Sequence, residues 1–294
     1  KESHRTKNTI NPICEVANVK DRYRMDTIFD TYKPNIVYHA AAYKHVPIIE
    51  KSPYEGIFVN VFGTRIVADT ALRYGAERFV MVSTDKAVNP TNVMGATKRV
   101  AELYTQSLNE HGKTKFIATR FGNVLGSNGS VVPLFRKQIE AGGPITVTHE
   151  DITRYFMTIP EACNLVLEAG AMGQGGEVYV FDMGEPVKIL DMAKKMVKLS
   201  GLEPEKDIKI EVTGLRPGEK LFEELLASSE NTIPTHHEKI LKANVETYSH
   251  KIIKEHLDIL AEIMIDGDVV GMVRKVKTIV PEYISQNSEF EALD

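Results

Sequence analysis

Arg78-Phe79-Val80-Met81-Val82-Ser83-Thr84-Asp85-Lys86, followed eight residues on by Met94-Gly95-Ala96-Thr97-Lys98, is the stretch that decides the fold. The apolar run Phe79 to Val82 is short and continuous, as a strand buried on both faces must be. Ser83-Thr84-Asp85-Lys86 marks its carboxyl end, where open α/β sheets collect their reacting groups. The second segment opens a helix that runs on through Tyr104. Residues 94 and 98 are four apart, so Met94 and Lys98 share the inward face of that helix.

Outward from this unit, strands and helices alternate. Pro12 to Val16 reads as a short strand and Arg22 to Tyr32 as a helix. Asn35 to His39 reads as a strand ending in Ala40-Ala41-Ala42. Ile57 to Tyr74 has apolar spacing near 3.6 and stops at Gly75. Helix 94–110 and strand Lys115 to Arg120 follow. Such alternation predicts a doubly wound, Rossmann-like parallel sheet covered by helices. After about residue 125 the pattern loosens at turn clusters such as Gly126-Ser127-Asn128-Gly129-Ser130. Helices are expected over 132–141, 160–170, 188–200, 219–227 and 248–265, with two in 245–294. Residues 1–125, with later returning segments, read as a nucleotide-binding domain, and 126–294 as mainly a smaller α/β substrate-binding region.

Composition bounds the function. The 294 residues carry a net charge of −4 and a pI of about 6.2, with 43% hydrophobic and 26% charged residues. That balance calls for neither nucleic acid nor an anionic membrane surface. No run of about 18 apolar residues is present, so no membrane span is expected in this segment. Cys14 and Cys163 have no metal-ligand spacing and suit a reducing cytoplasm. Cys163, at an apolar helix position, reads as core. His149, His236 and His237 lack a ligand pattern, and no metal site is expected. There is no G-x-G-x-x-G loop to bring a dinucleotide's pyrophosphate to a helix N-terminus. The expectation is a nucleotide-binding fold entered after its first β-α unit, with that unit lying upstream.

The motifs together resemble the nucleotide-sugar 4,6-dehydratases of polysaccharide biosynthesis, in the extended short-chain dehydrogenase/reductase superfamily. The resemblance is carried by His39-Ala40-Ala41-Ala42-Tyr43-Lys44-His45-Val46-Pro47, by Ser83 to Arg99, and by Arg120-Phe121-Gly122-Asn123-Val124-Leu125-Gly126-Ser127. Thr153-Arg154-Tyr155-Phe156-Met157-Thr158 and Leu215-Arg216-Pro217-Gly218-Glu219-Lys220 add to it. Many such enzymes carry Tyr-x-x-x-Lys on the helix. Met94 in place of the tyrosine points to the long, membrane-anchored branch acting on UDP-N-acetylglucosamine. Ala17-Asn18-Val19 departs from the family's usual Gly-Asp-Val.

The resemblance implies NAD as cofactor, a UDP-sugar as substrate and a homo-oligomer. It implies Lys86 as the base at C5 and Asp85 as the acid for the departing C6 hydroxyl, with Thr84 on the C4 oxygen. Lys86 must then be neutral and Asp85 protonated; burial pushes both in that direction, and proton exchange within the pair is an equal alternative. Methionine has no titratable proton, so the C4 proton leaves through Thr84, Asp85 or Lys98. Lys98 is expected on the nicotinamide ribose, with Met94, Asn18, Val19, Ala40, Ala41, Ala42 and Lys44 along the cofactor. Asn123, Arg154 and Arg216 are expected at the diphosphate and Glu219 at the ribose hydroxyls, a guanidinium fork gripping phosphate oxygens in pairs. Glu219 alternatively belongs to the first turn of its helix. Two other readings stand beside the dehydratase: a sugar-nucleotide epimerase of the same superfamily, and an inactive UDP-sugar-binding fragment.

Overall fold

A parallel strand buried on both faces needs a helical layer on each side, and the computed structural model, which describes residues 11–225 and 231–294, has that arrangement. Its central sheet comprises β1 (Ile36–His39), β2 (Arg78–Val82), β3 (Lys115–Arg120), β4 (Val178–Phe181), β5 (Asn231–Pro234) and β6 (Ile240–Asn244). The spatial order is β1-β2-β3-β4-β6-β5. β1 to β4 are parallel, and the β5–β6 hairpin adds antiparallel strands at the β4 edge.

Along β2 the side chains alternate between two cores. Phe79 and Met81 join α2 (Thr64–Arg73), α3 (Val93–Ser107), α7 (His250–Ile265) and α8 (Val269–Ile279) on one face. Val80 joins α5 (Ile159–Met172) on the other. All of α3 is buried, because the sheet lies on one side of it and α7 and α8 on the other. A third cluster, Phe135, Ile139, Ile145, Val147, Ile189, Ala193 and Val197, gathers α4 (Val131–Glu140), α6 (Ile189–Leu199) and the parallel pair Ile145–Val147 and Ile210–Val212.

Several expectations need correction. Residues 12–16 form no strand; no ladder partner lies beside them among the described residues, and Ile13 and Val16 are exposed. Glu15 instead pairs with Arg24 and Tyr32 of α1 (Arg22–Tyr32). The Ile57 to Tyr74 helix is interrupted by a π-helical stretch, Phe58–Gly63. Residues 219–225 are irregular, and 226–227 lie outside the described residues. There the carbonyls of Lys220 and Leu221 accept from the Arg154 guanidinium, with distances of 2.9 and 3.3 Å. Cys163 is exposed, because α5 is apolar on several faces and its periodicity does not single out the buried one.

Candidate active site

The carboxyl ends of β1, β2 and β3 open into a cleft of about 520 Å³ whose far wall is built from α4, α6 and residues 146–156 and 213–223. Just beyond β2, the backbone N–H of Asp85 reaches the Phe121 carbonyl at 3.2 Å, turning residues 85–87 into a short 3-10 turn across the end of β3. That turn buries Asp85 completely. The Asp85 Oδ1 atom accepts from Thr84 Oγ1 at 2.8 Å and from Lys86 Nζ at 3.0 Å. The Lys86 amine also lies 3.4 Å from Asn123 Oδ1 and 3.4 Å from Glu223 Oε1.

Burial alone lowers a lysine pKa, but the charges of Asp85 and Glu223 outweigh it, and Lys86 is held above the ordinary lysine value. The expectation that burial leaves Lys86 neutral is therefore overturned, because two carboxylates flank a single amine. Glu223 was missed at the level of sequence: it sits in a run of charged residues that resembles a solvated helix face.

Met94 and Lys98 both line the cleft from the first turns of α3. Asn92 caps this helix, its Oδ1 accepting from Gly95 N at 2.7 Å. Lys98 Nζ donates to the Val82 carbonyl at 2.7 Å, and burial lowers its pKa to about 8. Ala40 and Ala42 line the cleft beyond β1; Ala41 does not. The following loop is clasped by buried Asn60, whose Oδ1 accepts from Tyr43 N at 2.7 Å and whose Nδ2 donates to Tyr43 O at 2.9 Å. Asn60 sits in the π-helical stretch, a polar residue inside an apolar helical pattern, and that was its sequence signal. Lys44 spans to Ser127 Oγ at 3.3 Å. Asn18 and Val19 lie off the cleft lining: Asn18 Oδ1 accepts from Lys20 N at 3.0 Å, and Val19 packs against Gly63.

On the far wall, Arg154 is 8% exposed and committed to the protein. Its Nη atoms donate to Thr153 O, Leu221 O, Lys220 O and Glu219 Oε1, and its Nε faces Glu223 at 3.6 Å. Arg216 is the exposed guanidinium, 3.3 Å from Glu219 Oε1. The two walls are tied together. Thr91 Oγ1 and Asn92 Nδ2 donate to Gly218 O at 3.0 and 2.9 Å. Residues 284–286 complete the tie: Ile284 N reaches Pro90 O, Gln286 N reaches Thr91 O, and Gly218 N donates to Gln286 O at 2.7 Å.

This architecture recurs in solved structures. Pen from Bacillus thuringiensis superposes with a TM-score of 0.70 at 30% identity, over 83% of this chain and 80% of that one. DesIV of Streptomyces venezuelae, a dTDP-glucose 4,6-dehydratase solved with NAD and DAU bound, shares the fold with a TM-score of 0.63 at 19% identity, over 70% and 68% of the two chains. Residues 1–245 match the model of the family described as polysaccharide biosynthesis protein, and the chain belongs to that family. Capsular polysaccharide biosynthesis protein CapD of Staphylococcus aureus is 55% identical over 88% of this chain and 43% of its own length. The chain thus spans under half of that relative. A UDP-N-acetylglucosamine 4,6-dehydratase (inverting) of Campylobacter jejuni is 34% identical over 74% of this chain and 63% of its own. A UDP-glucose 4-epimerase of Rickettsia canadensis is 38% identical over 66% and 56%. No helix among the described residues is long and apolar enough to cross a membrane.

Proposed function

We propose that the protein containing this chain is an NAD-dependent dehydratase that converts UDP-N-acetylglucosamine to a UDP-4-keto-6-deoxy-N-acetylhexosamine. The observation that carries this reading is the Asp85–Lys86 pair, Asp85 fully buried and Lys86 half-buried, 3.0 Å apart at the strand end beside the cleft. Removing water across C5 and C6 needs a base and an acid side by side, and the pair supplies both.

The residues present fit the cofactor. Ala40 and Ala42 extend no further than Cβ into the cleft, and the Lys98 ammonium has donors beyond its bond to Val82 O. When bound, NAD supplies the reversible hydride acceptor for C4. The chain's own groups do the rest. Lys86 rests as an ammonium; one proton moved along the 3.0 Å bond to Asp85 yields a neutral amine and a carboxylic acid. A closed, dry site favours that exchange because it removes two buried charges. The amine takes the C5 proton, Asp85 protonates the departing hydroxyl, and Thr84 Oγ1 holds the C4 oxygen. Met94 has no proton to exchange, so the C4 proton leaves through Thr84, Asp85 or Lys98. Arg216 faces the diphosphate; Arg154 holds the segment that carries Glu219 and Glu223.

An epimerase is the second reading, favoured by the 38% identical Rickettsia relative. Simple 4-epimerisation needs no acid for a C6 hydroxyl, so it leaves the Asp85–Lys86 pair without a task. Incubating the full-length protein with UDP-N-acetylglucosamine and NAD, then weighing the product, decides the matter. Loss of one water is expected. An unchanged mass with inverted C4 would establish the epimerase, and an unaltered sugar would sink both readings for this substrate.

A further inference from the structure

The Lys86 ammonium has three N–H donors and stands among three oxygens: Asp85 Oδ1 at 3.0 Å, Asn123 Oδ1 at 3.4 Å and Glu223 Oε1 at 3.4 Å. It has no lone pair to offer in this state. The three oxygens differ in kind: those of Asp85 and Asn123 accept hydrogen bonds from Lys86, and that of Glu223 is an ion-pair partner. Asp85 adjoins Lys86 in sequence and also receives Thr84 Oγ1. Asn123 is an uncharged amide. Glu223 arrives from the opposite wall with a side chain only 2% exposed. Its Oε2 has no hydrogen-bond partner among the described residues. A buried carboxylate with an empty oxygen is costly, and the chemistry assigned above gives Glu223 no task.

We propose that Glu223 is a positioning residue of the acid–base cluster: it aims the Lys86 amine and, through its charge, sets the pH at which that amine releases its proton. The inference deepens the reading of Lys86 as the C5 base and rests on it. In the exchange, the Lys86 N–H bond breaks and an O–H bond forms on Asp85; no other group changes. The neutral amine keeps two N–H bonds: Asn123 Oδ1 accepts one at 3.4 Å, and the Glu223 carboxylate, an ion-pair partner at 3.4 Å, draws the other towards itself. Its lone pair starts on the side facing Asp85, and the two remaining N–H contacts restrict how far the amine turns from there to meet the C5 proton. An amine with fewer acceptors turns about its last bond and loses that aim. The carboxylate charge of Glu223, 3.4 Å away, also favours the ammonium over the amine. The other charges facing this cluster are Asp85 on the same turn and Arg154 across the cleft, 3.6 Å from Glu223.

Two variants of the full-length protein separate charge from position. Glu223→Gln keeps the shape and one acceptor oxygen but removes the charge. The pH limb of kcat/KM that belongs to Lys86 should move to lower pH by about one unit or more. The Lys86 Nζ resonance, followed by nitrogen-15 NMR without turnover, should move with it. Glu223→Asp keeps the charge but withdraws the acceptor by one methylene. Its pH limb should stay in place while kcat falls on the order of 100-fold. An unmoved Lys86 titration in a folded Glu223→Gln variant overturns the proposal, even where activity is lost, because that pattern marks a structural role alone. Should Glu223→Gln not fold, wild-type kcat in Glu223→Asp overturns it instead. The NMR titration needs no dehydration, so a wild-type protein that releases no water sinks the functional reading while Glu223 is still judged.

Discussion

A Cβ placed on Gly95 would stand 2.1 Å from the backbone carbonyl oxygen of Lys86. The first turn of α3 therefore rests directly on the peptide of the proposed base, an approach that only a residue without a side chain permits. Gly95→Ala must push the turn carrying Asp85 and Lys86 away from the helix carrying Met94 and Lys98. We expect kcat to fall on the order of 100-fold in steady-state assays. Wild-type turnover in this variant would show that the contact does not fix the pair.

Lys98 ties folding to alkaline pH. Burial lowers its pKa from 10.5 to about 8, with Glu102 opposing that shift in part. The folded chain then binds fewer protons than the unfolded one between those values, so stability rises with pH through that window. Relative to Lys98→Met, the wild type should gain up to about 3 kcal/mol between pH 8 and 10.5. Urea unfolding at the two ends measures the difference; a constant gap would contradict the buried amine.

Behind the cleft, Glu102 is fully buried and is gripped by Arg120 at 2.8 Å and Arg99 at 3.2 Å. Burial pushes its pKa up, but the two guanidiniums win and hold it at about 2. Their stabilising contribution is present above the ordinary value of 4.5 and is lost as pH falls towards 2. Arg120→Met removes the main partner and should cost about 3–5 kcal/mol at neutral pH. A chemical-denaturation midpoint close to wild type would refute this.

Gly218 has a φ of +75°, and a Cβ there would meet Asn92 Cβ at 2.5 Å. Gly218→Ala should loosen the bonds from Thr91 and Asn92 and shift Arg216 and Glu219 with them. Affinity for UDP alone, measured by calorimetry, should fall about tenfold. Unaltered UDP affinity would place the diphosphate away from this loop.

Legibility in the sequence followed the range of the forces involved. β2, β3 and the helix after β2 were readable because burial on two faces leaves a continuous apolar run, and because Gly75 and Ser83 mark the ends. Pro12 to Val16 was misread since a strand exists only where a neighbour completes its ladder, which no single segment reveals. Residues 219–225 were misread for the opposite reason. Their charges have helical spacing but are spent on Arg154 and Lys86, far away in the chain. The same long-range pairing hid Glu223 and reversed the expected effect of burial on Lys86. Asp85 and Lys86, adjacent in sequence, were found together as read.

The tie made by residues 284–286 has a consequence for synthesis. Thr84 to Lys86 and Arg216 to Glu223 leave the ribosome well before Ile284 and Gln286, a delay of seconds at roughly 5–20 residues per second. During that interval the two walls lack the Gln286 backbone bonds to Thr91 and Gly218. The final shape of the cleft is thus withheld until translation has passed this segment.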